Sequence, residues 1–361
     1  MTAIAIDARA AGEEPAGRGR VVRELLRALN GRSDPHRYLL YARSAWDEDL
    51  DDRFEWRLRR LPDPLWHLWA ARDANRSAQT FLSTNSYLTA WFTRIPTAVV
   101  VYDTVAWDAP DSAQRRAQLI ERATIRLGLR RARAAICISE ATRRDLVSRF
   151  PVAGPKATVV HLAAADRFRL TQHRERLDFV LCAGTLEPRK NLVRSTRAYR
   201  ELSDEVREAH PLVIAGARGW ERDEILLHAH EAGARIETDV SDEELADLYA
   251  SCAVFLFPSL YEGFGLPLLE AMSTGAACVT SNVSSLPEIG GDAVLYVEPT
   301  NVEEIRGAVD RLLRSPELRK ELGERARTRA AEFSWDRTAA EVLDTLVALS
   351  VDSQPRSGSA R

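Results

Sequence analysis

Short apolar, β-branched runs alternate with longer amphipathic stretches along nearly the whole chain, and this alternation leaves few folds open. Strand-like runs stand at Ile4–Asp7, Ala98–Tyr102, Ala134–Ile138, Thr158–His161, Phe179–Ala183, Leu212–Ala215, Val254–Phe257, Ala277–Thr280 and Ala293–Val297. Helical patterns lie between several of them. In Val21–Leu29, for example, Val21, Val22, Leu25, Leu26 and Leu29 share one face of a 3.6-residue period. Such alternation predicts parallel sheets covered by helices. A chain of 361 residues exceeds one ordinary domain, so two are expected. The charged, aperiodic stretch Asp166–Asp178 is the expected linker. The predicted architecture is α/β, with two doubly wound Rossmann-like domains at 1–168 and 177–335 facing a central cleft. The polar tail 351–361 is expected to be disordered.

Composition narrows the class. A hydrophobic share of 45% beside 29% charged residues fits a soluble globular enzyme. The net charge of −3 argues against nucleic acid as the main partner. No run reaches the roughly 18 apolar residues that span a bilayer. No basic segment precedes the first strand, so no signal peptide is expected. Cys137, Cys182, Cys252 and Cys278 stand singly in apolar runs and read as reduced, buried thiols of a cytoplasmic protein.

The most specific chemistry lies in SLYEGFGLPLLEAMSTG (259–275). An apolar run ends at Pro258, a glycine turn follows, and a helix begins with Pro267 in its first turn. A strand, glycine turn and helix N-terminus in this order favour a bound phosphate, because backbone N–H groups and the helix dipole point at it. Glu262 precedes that helix and Glu270 lies inside it. Eight residues of continuous helix span about 12 Å, beyond the roughly 5–9.5 Å of a glycosidase carboxylate pair, so the two glutamates have different tasks. Amides for phosphate beside carboxylates for hydroxyls point to a ligand that is both diphosphate and polyol, such as a nucleotide sugar. GTLEPRKN (184–191) follows another strand, and its Arg189 and Lys190 can neutralise a leaving diphosphate. In AGRGR (16–20), Gly17 and Gly19 allow close approach of the backbone to a ligand.

The run from Pro258 to Pro299, with GTLEPRKN before it and FSWDRTAAEVL (333–343) after it, resembles the retaining glycosyltransferase family 4, in its bacterial mannosyltransferase-like branch. AGARGW (215–220), VSDEELADLY (240–249), YDTVAWDAP (102–110) and ICISEATRRDL (136–146) are similar to the same pattern. The resemblance implies a GT-B fold, with an acceptor-binding first domain, a donor-binding second domain and a terminal helix, 336–350, crossing back to the first. It implies that Lys190 and Arg189, in the loop opened by Gly184, hold the donor diphosphate and that Glu270 binds the ribose. It sets Glu262, Phe264, Gly265 and Leu266 against the transferred sugar and phosphates. Gly17 and Gly19 would lie where donor phosphate and acceptor meet, and Asp103 near the reacting centre. Glu262, Asp103 and Lys190 are thus the expected catalytic set.

Three departures stand out. Tyr102 replaces a common histidine, Thr185 replaces a common arginine, and HLAAAD (161–166) lacks the usual glycine. The expected reaction moves a hexose, mannose first, from GDP-mannose or another nucleotide-diphosphate sugar to a glycan, lipid-linked or small-molecule acceptor. No cofactor and no metal are expected. A sugar-nucleotide epimerase and a non-catalytic nucleotide-sugar binder are the alternatives.

Several features carry less. Asp49-Leu-Asp51 lies in a solvated acidic turn, and His228 and His230 point to different faces of one helix. Trp66 and Trp69 read as core before acceptor stacking. Segment 115–133 carries seven arginines among Leu119, Ile120, Ile125, Leu127 and Leu129, with Glu121 as its one acidic residue. A basic amphipathic helix of this kind can lie at the inner face of the cell membrane.

Overall fold

The computed structural model describes residues 1–14, 17–108, 115–170, 177–217, 222–238 and 240–352. Among these residues, thirteen strands form two sheets in which every pairing is parallel. The first sheet holds β1 (Ala3–Asp7), β2 (Arg37–Ala42), β3 (Phe54–Leu58), β4 (Thr80–Ser83), β5 (Thr97–Val101), β6 (Ala134–Cys137) and β7 (Ala157–Val159). Its order is β3-β2-β1-β4-β5-β6-β7. The second sheet holds β8 (Val180–Ala183), β9 (Leu212–Ala215), β10 (Arg235–Glu237), β11 (Val254–Phe257), β12 (Cys278–Ser281) and β13 (Leu295–Val297), in the order β10-β9-β8-β11-β12-β13. Each sheet grows one way and then reverses, between β1 and β4 in the first and between β8 and β11 in the second. Ligands of open α/β sheets bind beyond the carboxyl ends of the strands at such reversals.

The chain divides into two compact units. One takes the chain as far as Leu162 and regains it at Trp335; the other runs from Ala163 to Ser334. Burial explains the strands. β4, β6, β8, β9, β11 and β12 are buried at every position, as expected where helices cover both faces of a parallel sheet. Two strands are harder to see in the sequence. β3 (FEWRL) is an edge strand with half-buried charged positions, and β10 (RIE) is a three-residue edge. β2 (RYLLYA) and β4 (TFLS) carry no β-branched run either.

The stretch expected as linker opens differently. Asp166–Leu170 is a helical turn anchored by the fully buried Phe168, whose ring meets Tyr249 at 5.9 Å. One aromatic anchor has no periodicity to announce it. The rest of that linker, 171–176, lies outside the described residues, as do the end of the tail from 353 and most of ARGW at 217–220.

The helix Trp335–Asp352 packs on the helix Arg18–Asn30 and on β4, all within the first unit, and buries Ala339, Val342, Leu343 and Leu346. The Thr338 hydroxyl donates to the His161 carbonyl at 2.6 Å. Trp66 is fully buried under the Arg9 guanidinium, 4.0 Å from the ring centre, which removes it as an acceptor platform.

Candidate active site

The second unit gathers the chemistry at its reversal. After β8, the chain reaches Gly184 and then a single 3-10 turn, Pro188–Lys190. Gly184 has φ +135°, and a Cβ there would stand 3.2 Å from Cε of Lys190, so the missing side chain makes room for the lysine. Asn191, in a left-handed conformation at φ 59°, closes the turn. Its side-chain amide donates to the carbonyls of Pro258 at 2.9 Å and Pro299 at 2.7 Å. This ties the loop after β8 to the ends of β11 and β13.

After β11, the chain runs through Glu262 to Gly265, which caps the helix Leu266–Ser273 with φ 101°. Its φ of 101°, together with Cδ2 of Leu286 2.8 Å from where a Cβ would stand, favours glycine at this position. Two serines following β12 fix the loop. Ser284 Oγ accepts the Glu262 N–H at 2.9 Å, and Ser285 Oγ donates to the carbonyls of Glu262 and Phe264 at 2.9 and 2.8 Å. Ser284 itself holds φ 52°, a strained position for a residue with a side chain.

These loops bring three predicted residues into direct contact. Lys190 Nζ donates to Glu262 Oε1 at 2.6 Å, and Arg189 Nη1 lies 2.8 Å from Glu262 Oε2. Arg189 also donates to the Tyr261 carbonyl at 2.9 Å and to Glu187 Oε1 at 2.5 Å. Lys190 Nζ stands 4.9 Å from the centre of the Phe257 ring. The Lys190 and Glu262 side chains are 8% and 7% exposed, so their charges act with little screening.

Burial opposes the charge on Glu262. The charge of Arg189, then that of Lys190 and its hydrogen bond, outweigh it and bring the carboxyl down to about 2. Burial holds the Lys190 ammonium below the usual lysine range; Glu262 opposes that fall and Arg189 adds to it. Glu262 is therefore an anion whose two faces are each taken by a cation.

Glu270 sits at the fifth position of the helix Leu266–Ser273 and is 1% exposed. Phe264 is also buried, with its ring edge-on to Phe333 at 6.1 Å. The sequence reading missed Glu187, Asn191, Ser284 and Ser285. The only signal was their place, since each follows a strand end of the same sheet.

The other predicted residues belong to the first unit. Gly17 caps the helix Arg18–Asn30 at φ 58°. Gly19 lies inside that helix, and a Cβ there would stand 1.7 Å from the Glu14 carbonyl oxygen and 2.6 Å from that of Ala10. Its glycine is required by the preceding short helix Arg9–Glu13, so a ligand need not be the reason for it. Asp103 follows β5 and accepts the Val105 N–H at 3.1 Å. In IDARAA, Asp7 and Arg9 form a buried pair at 2.8 Å that braces the end of β1.

Comparison with known proteins identifies the family. The family described as Glycosyltransferase Family 4 matches residues 15–164, and that described as Glycosyl transferases group 1 matches residues 166–329. O-antigen chain mannosyltransferase B of Escherichia coli is 32% identical over 303 residues, covering 79% of this chain and 78% of that protein. The serotype-specific mannosyltransferase WbdA of Escherichia coli is 31% identical over 242 residues, which cover 62% of this chain and 30% of that longer protein. Among solved structures, HepE of Anabaena in complex with UDP-glucose superposes with a TM-score of 0.75 at 13% identity, covering 96% of this chain and 100% of that one. The chain belongs to the family 4 glycosyltransferases and has their GT-B fold.

Proposed function

We propose that this glycosyltransferase moves mannose, with retention, from GDP-mannose to a glycan acceptor. The observation that carries the donor side is the convergence of Lys190, Arg189 and Glu262 at the β8/β11 reversal, beside the N-terminus of the helix Leu266–Ser273. The mannosyl group is favoured by the two mannosyltransferase relatives. In this reading Lys190 and Arg189 bind the diphosphate, Arg189 through its planar fork. The buried Glu270 accepts from ribose hydroxyls. Glu262 orients both cations and meets the transferred sugar.

Transfer is then a front-face displacement. The acceptor oxygen bonds to the anomeric carbon as that carbon's bond to the phosphate oxygen breaks, and the acceptor proton leaves on the phosphate. Lys190, Arg189 and helix amides stabilise the charge that develops on the leaving group. Asp103 belongs to the acceptor side of this scheme.

GDP-mannose in excess is expected to raise the melting temperature, because a ligand that binds only the folded state stabilises in proportion to ln(1 + [L]/Kd). UDP-glucose at equal concentration is expected to do less. Glu270→Gln should raise the GDP-mannose Kd by about tenfold, the loss of one charge-assisted hydrogen bond. A melting temperature that rises with UDP-glucose and ignores GDP-mannose would reject the mannosyl donor.

We also propose that the chain works at the cytoplasmic face of a membrane through residues 115–133. The supporting observation is the helix Arg115–Arg131, which leaves Leu119 and Ile120 68% and 57% exposed on a strongly basic element. No helix among the described residues is long and apolar enough to cross a membrane. Vesicles with anionic lipid should sediment the protein at low salt and release it at high salt. Equal binding to neutral vesicles would contradict an electrostatic contact.

A further inference from the structure

The first unit has a polar cavity of its own at its strand-order reversal. It measures about 20 Å³ and is lined by Arg18, Thr84, Asn85, Ser86, Tyr87, Val100, Tyr102, Asp103 and Glu121. These residues come from β5, from the loops and helices after β1, β4 and β5, and from the helix Arg115–Arg131. Roughly 10–15 Å³ admits one water, so the space suits one water molecule or one hydroxyl group.

Packing fixes the cavity walls. A Cβ on Gly128 would stand 2.6 Å from Cβ of Tyr87, so the helix carrying Glu121 lies hard against the helix Tyr87–Phe92. Glu121 is seven residues before Gly128 and shares its face. The Arg18 guanidinium lies 5.2 Å from the centre of the Tyr102 ring. Asp103, Tyr102 and Glu121 act on it through space. The Tyr102 hydroxyl is buried and has no hydrogen-bond partner. A buried, unpaired hydroxyl and a guanidinium lining the same small space are donors that call for an acceptor atom.

The charge balance selects the ligand. A site for phosphate would carry surplus positive charge, whereas here one cation faces two carboxyl groups. Burial, then Asp103, raises the Glu121 carboxyl to about 7, against the pull of Arg18. Glu121 thus keeps much of its proton near neutrality and leaves the cavity close to neutral, with Tyr87 and Tyr102 raised by burial and uncharged.

We propose that Arg18, Tyr102, Asp103 and Glu121 form a recognition site for one uncharged hydroxyl group of a sugar acceptor. Arg18 and Tyr102 donate to the two lone pairs of the hydroxyl oxygen, Asp103 accepts its proton in a hydrogen bond, and protonated Glu121 keeps a second negative charge out of the site. The site selects neutral glycan ends over phosphorylated ones. It rests on the glycosyltransferase reading above and assigns its acceptor class.

The test uses the full chain with GDP-mannose as donor. The acceptor probes are methyl α-mannoside, α-linked mannobioses and mannose 1-phosphate, and acceptor-free donor hydrolysis is measured beside them. At least one neutral mannoside should be preferred over mannose 1-phosphate. Arg18→Met and Tyr102→Phe should each raise the acceptor KM about tenfold and leave the donor KM within about twofold. In the wild type, the acceptor KM should rise as pH climbs through about 7, where Glu121 loses its proton beside Asp103. Glu121→Gln, which cannot ionise, should remove that rise while keeping the low-pH KM. A preference for mannose 1-phosphate, donor hydrolysis without transfer to any neutral probe, or variants that move the donor KM instead would each overturn the site. Absence of both transfer and hydrolysis would remove the GDP-mannose reading, and this inference with it.

Discussion

Lys190→Ala is expected to lower kcat by about 10²–10³-fold, the usual cost of removing one preorganised group that stabilises a leaving anion. The donor KM should change less, because Arg189 and the helix amides still bind the diphosphate in the ground state. Lys190 is singled out by its surroundings. It lies buried between Glu262 and the Phe257 ring, in a space that Gly184 keeps clear. Steady-state kinetics with GDP-mannose, or with whichever nucleotide sugar stabilises the fold, would check this. Retention of full kcat would take the diphosphate role away from Lys190.

Glu262→Ala has the second large effect, and stability is where it appears first. The substitution leaves the buried Lys190 ammonium without its carboxylate, which costs about 3–5 kcal/mol. A shift of about 10 °C in the melting of the second unit is the expected size. Arg189 suffers less, since it is 21% exposed and keeps Glu187. Adding Lys190→Met should restore most of the loss, because no unpaired charge then remains beside Phe257. The wild type should also depend on pH. The folded carboxyl lies near 2 and the unfolded one near 4.5, so this stabilisation is complete above about 4.5 and disappears as pH falls from there toward 2. Glu262→Ala should be flatter across that window. A double variant as unstable as the single one would show that the cost arises elsewhere in the loop.

The sequence revealed what repeats or stands beside a strand end. Buried strands such as VFLF and VLCA are continuous apolar runs with no other reading. Edge strands were harder: β3 and β10 are held by pairing on one side, and their own residues are half polar. The same contrast holds at the site. Lys190 and Glu262 stand in glycine-bearing turns after strands, a place that singles them out in the sequence, and the structure brings the two side chains into contact. Ser284, Ser285 and Asn191 act by holding carbonyls and N–H groups of distant loops. A serine or asparagine in a loop looks the same whether or not it performs such work. Gly19 shows the converse, since two carbonyl oxygens of its own chain already require a glycine whose place also suits a ligand.

The return of the helix Trp335–Asp352 to the first unit has a topological consequence. The second unit is an insertion, entered and left within one host whose completion waits for the helix Trp335–Asp352. During translation the inserted unit can finish first, while Ala339, Val342, Leu343 and Leu346 are still absent from the apolar surface they later cover. A frameshift ahead of this helix would therefore damage a unit encoded almost entirely upstream of the inserted one.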